Sequence, residues 1–151
     1  MIEDYLRNNS VEFEVDHHEA VYTAQEAAAA EDVTGYEFAK TVIVTDGQTY
    51  YMLVLPAPYQ VDLDKASELI GTEVRLAEEE ETKALFSDCD LGAEPPFGSL
   101  FNMDTCVDES LGKEEEIAFR GGSHEKTIRM SYADYIDLEE PRLGDFKGGI
   151  E

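Results

Sequence analysis

The sequence predicts an α+β fold: a mixed, curved, barrel-like β-sheet packed with peripheral helices. Two observations carry that class. β-branched and aromatic runs recur as short strands, and capped helical segments fall between them without the regular strand-helix alternation of a doubly wound fold. The 151 residues contain no repeat and no Gly/Ser- or Pro-rich linker, so a single domain spanning residues 1–151 is expected.

Ile2 to Asn9 reads as a short opening helix, and Val11, Phe13 and Val15 alternate with acidic residues as a half-buried strand does. After His17 and His18, Thr23-Ala24-Gln25-Glu26 forms a capping box. The Thr hydroxyl takes one orphan N–H and the Glu carboxylate another, so a helix through about Asp32 follows. Thr41 to Thr45 and Gln48 to Leu55 flank Asp46-Gly47, a strong hairpin signal, and Lys40 opens the first of these strands. Pro56 and Pro58 end the hairpin; Leu63 to Ile70 is helical with Gly71 as its stop; Val74-Arg75-Leu76 is a brief strand.

Glu78 to Phe86 reads as a helix whose leading glutamates suit the positive end of its macrodipole. Short strands are expected around Leu100-Phe101, Cys106-Val107, Ile117 to Phe119 and Thr127 to Met130, with a turn at Gly121-Gly122. Ser131-Tyr132-Ala133-Asp134 caps a last helix.

Hydrophobic content of 42% supports a folded core. The longest apolar runs, such as Met52 to Leu55, fall far short of the roughly 20 residues that span a bilayer. The N-terminal MIEDYLRNNS has neither the basic nor the apolar region of a secretory signal, so no membrane and a cytoplasmic location are expected. Cys89 and Cys106 form no CxxC and read as two reduced, buried thiols. The net charge is −24, from 35 acidic against 11 basic residues, six of them lysine. An acidic, lysine-poor surface reads as halophilic, adapted to a salty cytoplasm where the Debye length shrinks to ~3 Å near 1 M. Such charge discourages self-association, so a monomer is expected.

The motifs exclude several chemistries. There is no GxSxG for a serine nucleophile, no HExxH or comparable zinc spacing, no phosphate loop and no dinucleotide fingerprint. Neither metal nor cofactor is expected. His17 and His18 are adjacent, so as strand residues they face opposite ways and at most one enters a given site.

Backbone chemistry remains. In Gly92-Ala93-Glu94-Pro95-Pro96-Phe97-Gly98 two prolines stiffen the loop, leaving the N–H groups of Ala93, Glu94, Phe97 and Gly98 to point at a ligand oxygen. Gly121-Gly122-Ser123-His124 and Gly35 to Lys40 are two further loops, each by itself only a turn.

Their order is informative. His18, Thr23, Glu26-Ala27-Ala28, Ala39-Lys40-Thr41, Arg75-Leu76-Ala77, GAEPPFG and the closing GGSHEKTIRM with Asp134 together resemble the YbaK/prolyl-tRNA-synthetase-associated domain family over nearly the whole chain. The resemblance implies an aminoacyl-tRNA deacylase, a carboxylic ester hydrolase that edits mischarged tRNA in trans for translation fidelity. It makes Lys40 similar to the family's essential lysine, which faces the substrate's 3′ end. It makes Gly92, Ala93, Pro96, Phe97 and Gly98 part of the loop that positions the ester and its attacking water, with Gly92, Ala93 and Gly98 as catalytic backbone positions. Gly122, Ser123 and His124 resemble the loop closing the amino-acid pocket, and His18 with Thr23 another wall. Where the family member beside prolyl-tRNA synthetase often carries a GGxSP-type loop, this chain has GAEPPFG, so it resembles a freestanding subgroup.

The implied partner is the CCA end of a mischarged tRNA, with transient contact to a synthetase. An aminoacyl ester is already activated, so the protein need only orient water, stabilise the oxyanion and hold the substrate; the substrate's ribose hydroxyl is expected to assist. Small side chains of Ala, Ser or Cys size are the natural targets, because one methylene is worth only ~1–3 kcal/mol to a synthetase and a second sieve restores fidelity. Acidity opposes tRNA binding, which draws on cations neutralising phosphates. High salt and a grip on the single-stranded end relieve that conflict, and Arg120, Lys126 and Arg129 are expected to form a basic lip beside Lys40. A noncatalytic small-ligand or protein-binding module of the same fold is the competing reading, as is hydrolysis of another small ester or amide.

Overall fold

Asp46 and Gly47 turn the chain as their chemistry dictates. Gly47 adopts φ +99°, open only to a residue without Cβ, and Asp46 Oδ1 accepts from the amides of Gln48 and Thr49 at 2.9 and 2.8 Å. The computed structural model describes residues 2–20, 27–29 and 34–150. Its elements are α1 (Ile2–Asn8), β1 (Phe13–His17), β2 (Ala39–Thr45), β3 (Tyr50–Pro56), β4 (Tyr59–Val61), α2 (Leu63–Ile70), β5 (Arg75–Leu76), α3 (Glu79–Leu85), β6 (Asp104–Asp108), β7 (Glu116–Arg120), β8 (Lys126–Ser131), α4 (Tyr132–Glu139), β9 (Arg142–Gly144) and β10 (Lys147–Ile150). The expected helix after Thr23 falls largely outside the described residues; residues 27–29 within it are helical.

The strands form sets ordered β5-β2-β3-β6-β9, β1-β8-β7 and β10-β4. β2 pairs antiparallel with β3, while β3 with β6 and β6 with β9 run parallel, so the sheet is mixed as expected. A parallel bridge between Phe38 and Ala118 joins the start of β2 to β7 and makes the strands wrap around the core. β3 shows why this centre reads as one apolar run. Met52 and Val54 face a core completed by Ile2, Leu6, Phe97, Phe119, Ile128 and Tyr135, while Leu53 and Leu55 face a second core with Ala66, Val74, Cys106 and Phe146. A strand covered on both faces loses its polar alternation.

Two helices carry side-chain caps, and the expected stop at Gly71 and cap at Ser131 are present. α2 is capped by Asp62, which accepts from the amides of Asp64 and Lys65, and stops at Gly71 with φ +97°. α4 starts at Ser131, whose hydroxyl accepts from the Asp134 amide. Leu100-Phe101 is not a strand. It lies in a 3-10 turn, Gly98–Phe101, closed by Asn102 in the left-handed region, and Phe101 packs on Phe86 with ring centroids 4.3 Å apart. A two-residue apolar pair has no period, so local pattern does not separate strand from helical turn. No helix among the described residues is long and apolar enough to cross a membrane. Both thiols are free; Cys106 is buried as expected, whereas Cys89 is half-buried at the rim of a cavity with Thr82, Phe86 and Glu94.

Candidate active site

β2 and β7 run parallel past the Phe38–Ala118 bridge, so residues two positions further along each strand arrive side by side. Those are Lys40 and Arg120. With Phe38, Ala39, Thr41, Gly92 and Glu94 they line a cavity of about 140 Å³. In a chain with so few cations, two in one small cavity create a local positive field against a negative background, strengthened by the low-dielectric wall of Phe38 and Ala39.

The guanidinium is held in place. Arg120 is 6% exposed, and its Nη1 donates to His124 Nδ1 at 2.5 Å. His124 Nε2 lies 2.7 Å from the Leu91 carbonyl. A guanidinium only donates and a carbonyl only accepts, so Nδ1 accepts and Nε2 carries the proton. His124 is thus a bridge that ties Arg120 to the loop before Gly92.

That loop is laced to its neighbour at several points. The Gly122 amide donates to the Ala93 carbonyl at 2.9 Å, the Asp90 amide to the Gly122 carbonyl at 2.9 Å, and the His124 amide to Asp90 Oδ2 at 3.2 Å. Gly92 and Gly122 adopt φ +86° and +93°, conformations these close turns reserve for glycine. The Ser123 hydroxyl accepts from the Glu125 amide at 3.0 Å, closing its own turn. His124 also lines a second hollow with Ala20, Asp90, Leu91 and Glu125, outside the Lys40 cavity.

The remainder of GAEPPFG faces the core. Phe97 is fully buried, with Tyr135, Phe119 and Tyr5 edge-on at centroid distances of 5.1, 5.6 and 5.9 Å. Tyr135 Oη donates to the buried Pro96 carbonyl at 2.6 Å. The Gly98 amide donates to Thr105 Oγ1 at 2.9 Å, and a Cβ there would meet that hydroxyl and the Met103 carbonyl, 2.7 Å away. The expectation that the amides of Ala93, Phe97 and Gly98 point at a ligand is therefore corrected. Ala93 donates to the Asp90 carbonyl at 3.0 Å, Phe97 to the Pro95 carbonyl at 2.8 Å, and Gly98 to Thr105. Buried amides need partners, and for these three the protein supplies them.

His18 is similarly engaged. Nδ1 meets the Glu19 carbonyl at 2.7 Å and so donates, Nε2 meets Thr127 Oγ1 at 2.8 Å, and the main-chain amide donates to the Glu125 carbonyl at 2.9 Å. It anchors the end of β1 to β8. Thr23 lies outside the described residues.

The basic lip is also corrected. Only Arg120 reaches the cavity; Lys126 pairs with Glu3 at 3.0 Å, and Arg129 pairs with Glu14 at 3.1 Å and Asp16 at 3.5 Å. β1 and β8 are antiparallel with Glu14 opposite Arg129, so the register directs that charge to its cross-strand partner.

Two residues of the cavity contribute side chains to which the sequence reading assigned no role. Thr41 Oγ1 is buried without a hydrogen-bond partner among the described residues, and so is Glu94 Oε2, on a side chain only 7% exposed. Burial pushes the Glu94 carboxyl above the usual carboxylate range, although the amides of Glu94, Gly92 and Ala93 and the nearby His124 pull the other way.

Comparison with known proteins gives this geometry its context. The fold matches the crystal structure of a hypothetical protein with a TM-score of 0.90 at 24% identity, over 97% of this chain and 99% of the other. It matches a candidate trans-editing enzyme for prolyl tRNA synthetase with a TM-score of 0.87 at 25% identity, over 98% and 95%. The chain is 29% identical over 148 residues to the multifunctional Ser/Thr-tRNA deacylase ProXp-y of Escherichia coli K12, covering 94% of this chain and 88% of that protein. Residues 18–138 match the aminoacyl-tRNA editing domain, a span that contains the whole Lys40 cavity. The chain therefore belongs to the aminoacyl-tRNA editing domain family, and it is a hydrolase of aminoacyl-tRNA.

Proposed function

We propose that this chain acts in trans, as a single-domain cytoplasmic monomer, to hydrolyse the ester of mischarged tRNA carrying a small amino acid of Ala, Ser or Cys size. The cavity that joins Lys40, Thr41 and Arg120 carries this reading. Its size is compatible with it: a cavity of roughly 150 Å³ admits a benzene-sized group, so about 140 Å³ has room for a small side chain. Lys40 and Arg120 offer positive charge to the phosphate of the terminal nucleotide. With no nucleophile–base dyad among the described residues that line the cavity, the adjacent ribose hydroxyl of the substrate assists the attacking water, and the protein acts by orientation and field.

Within the small class, serine is the favoured side chain. The unpartnered Thr41 hydroxyl pairs with a substrate hydroxyl and is left unpaired by alanine, and sites built for a hydroxyl reject analogues that lack it. The relative named for Ser- and Thr-tRNA deacylation is consistent with that choice. The test is deacylation of Ala-, Ser-, Cys- and Thr-tRNA at low and multimolar salt. We expect Ser-tRNA to be cleared fastest and Lys40→Ala to slow it by on the order of 100-fold or more. No turnover of any member by the folded protein at either salt would sink the reading.

A further inference from the structure

The cavity holds a negative group opposite in character to its two cations. Glu94 is 7% exposed, lines both this cavity and the one beside Cys89, and keeps Oε2 without a hydrogen-bond partner among the described residues. A buried acceptor left unpaired is costly, and the cost is relieved when a ligand brings the missing donor. If the chain is a deacylase, as read above, the chemistry of that donor is constrained. In its ionised form Glu94 repels phosphates and the ester carbonyl and pairs with a cation. The cation in an aminoacyl ester is the α-ammonium group, two bonds from the carbonyl carbon that water attacks.

We propose that Glu94 binds the α-ammonium group of the aminoacyl ester and so restricts hydrolysis to esters whose α-amine is free. The cavity is then bipolar. Lys40 and Arg120 take the nucleotide end and Glu94 the amine, and two opposite anchors fix the orientation of the ester between them. Burial holds the empty Glu94 carboxyl toward its neutral form, and an arriving ammonium favours the ionised form, so amine binding and ionisation of Glu94 reinforce one another. The substrate class follows: N-acylated aminoacyl-tRNA, including peptidyl-tRNA, lacks the cation and is spared.

The test is a binding comparison that needs no turnover. A seryl-adenosine analogue with an amide in place of the ester, its α-amine either free or acetylated, is titrated by calorimetry into the wild-type protein and into Glu94→Gln. Charged hydrogen bonds of this kind make the expected preference of the wild type for the free amine about 10- to 100-fold. The Gln variant should bind both forms equally, at the weaker level. Equal binding of the two forms by the wild type, or no binding of the free-amine form, overturns the proposal without reference to any variant. A Gln variant that keeps the wild-type preference overturns it too. Failure of the tRNA panel, in contrast, removes the deacylase reading and leaves this comparison intact.

Discussion

Tyr135 ties the core to the loop that follows Glu94. Its ring is fully buried against Phe97, and its hydroxyl satisfies the Pro96 carbonyl at 2.6 Å in a region closed to solvent. Tyr135→Phe keeps the ring and leaves that carbonyl unpaired, so unfolding free energy should fall by about 1–2 kcal/mol. Urea unfolding checks this, with a lower midpoint and an unchanged slope expected. An unchanged midpoint would mean that the bond contributes nothing net. Lys40 was legible at this scale because a lysine opening an apolar strand is conspicuous in an acidic chain, and because its ordered neighbours resemble a known pattern. Glu94 was hidden by its commonness: one of 35 acidic residues carries little signal. Its flanks held a clue. An acid among Ala93, Pro95, Pro96 and Phe97 sits in an apolar loop, which favours burial of the whole segment. Reading that loop for its amides alone missed the side chain, and the amides of Ala93, Phe97 and Gly98 serve the fold instead.

At the scale of elements, the first turn of α3 shows how an acidic sequence is put to structural use. Glu78 and Glu81 form a reciprocal capping box, and Glu81 also binds Arg75 of β5 at 2.9 Å and Tyr50 of β3 at 2.5 Å. The Arg75 contact, followed by the Glu78 amide and the Tyr50 hydroxyl, pulls the Glu81 carboxyl down to about 2 from its ordinary 4.5. A depressed carboxylate contributes stability that is present above the ordinary value and lost as pH falls through the lowered one. Glu81→Gln should therefore lower the melting temperature at pH 7, and the gap from wild type should close between pH 4.5 and 2. Thermal melts across that range decide it; a gap independent of pH would assign the effect to packing. Elements of this kind, with caps and stops written in side chains, were readable, as were α2 and the β2-β3 hairpin. β4, β9 and β10 were not. They are three or four residues long, β10 contains Gly148 and Gly149, and they exist because partners elsewhere in the chain pair with them. The 3-10 turn at Leu100-Phe101 was misread as strand for the same reason: tertiary packing, rather than local pattern, decides so short a segment.

At the scale of the whole molecule, a net charge of −24 and a polyanionic substrate impose an electrostatic conflict that the cavity resolves only locally. Proteins that neutralise phosphates with surface cations lose affinity as salt rises. Here two terms of opposite sign act. In the binding mode proposed above, the attraction of Lys40 and Arg120 for the terminal nucleotide operates at contact in a sheltered cavity, where screening is weak. The repulsion between the acidic surface and the body of the tRNA operates over tens of ångströms, and the fall in Debye length from ~10 Å at 0.1 M to ~3 Å at 1 M removes it. The long-range term is therefore the salt-sensitive one. We expect kcat/KM on a full mischarged tRNA to rise between low and molar salt. On a minimal 3′-seryl ester of adenosine 5′-monophosphate, which keeps the terminal phosphate but lacks the tRNA body, it should stay flat or fall. Measured side by side, the two substrates separate screening from any effect of salt on the enzyme's fold, because a change in fold moves both alike. A parallel fall on both, with the circular dichroism unchanged across the salt range, would show that cavity cations dominate recognition and that the acidic surface is electrostatically remote from the bound tRNA. A rise confined to the full tRNA would show that the acidity is tolerated through screening, with the repulsion carried by the tRNA body rather than by the aminoacylated end.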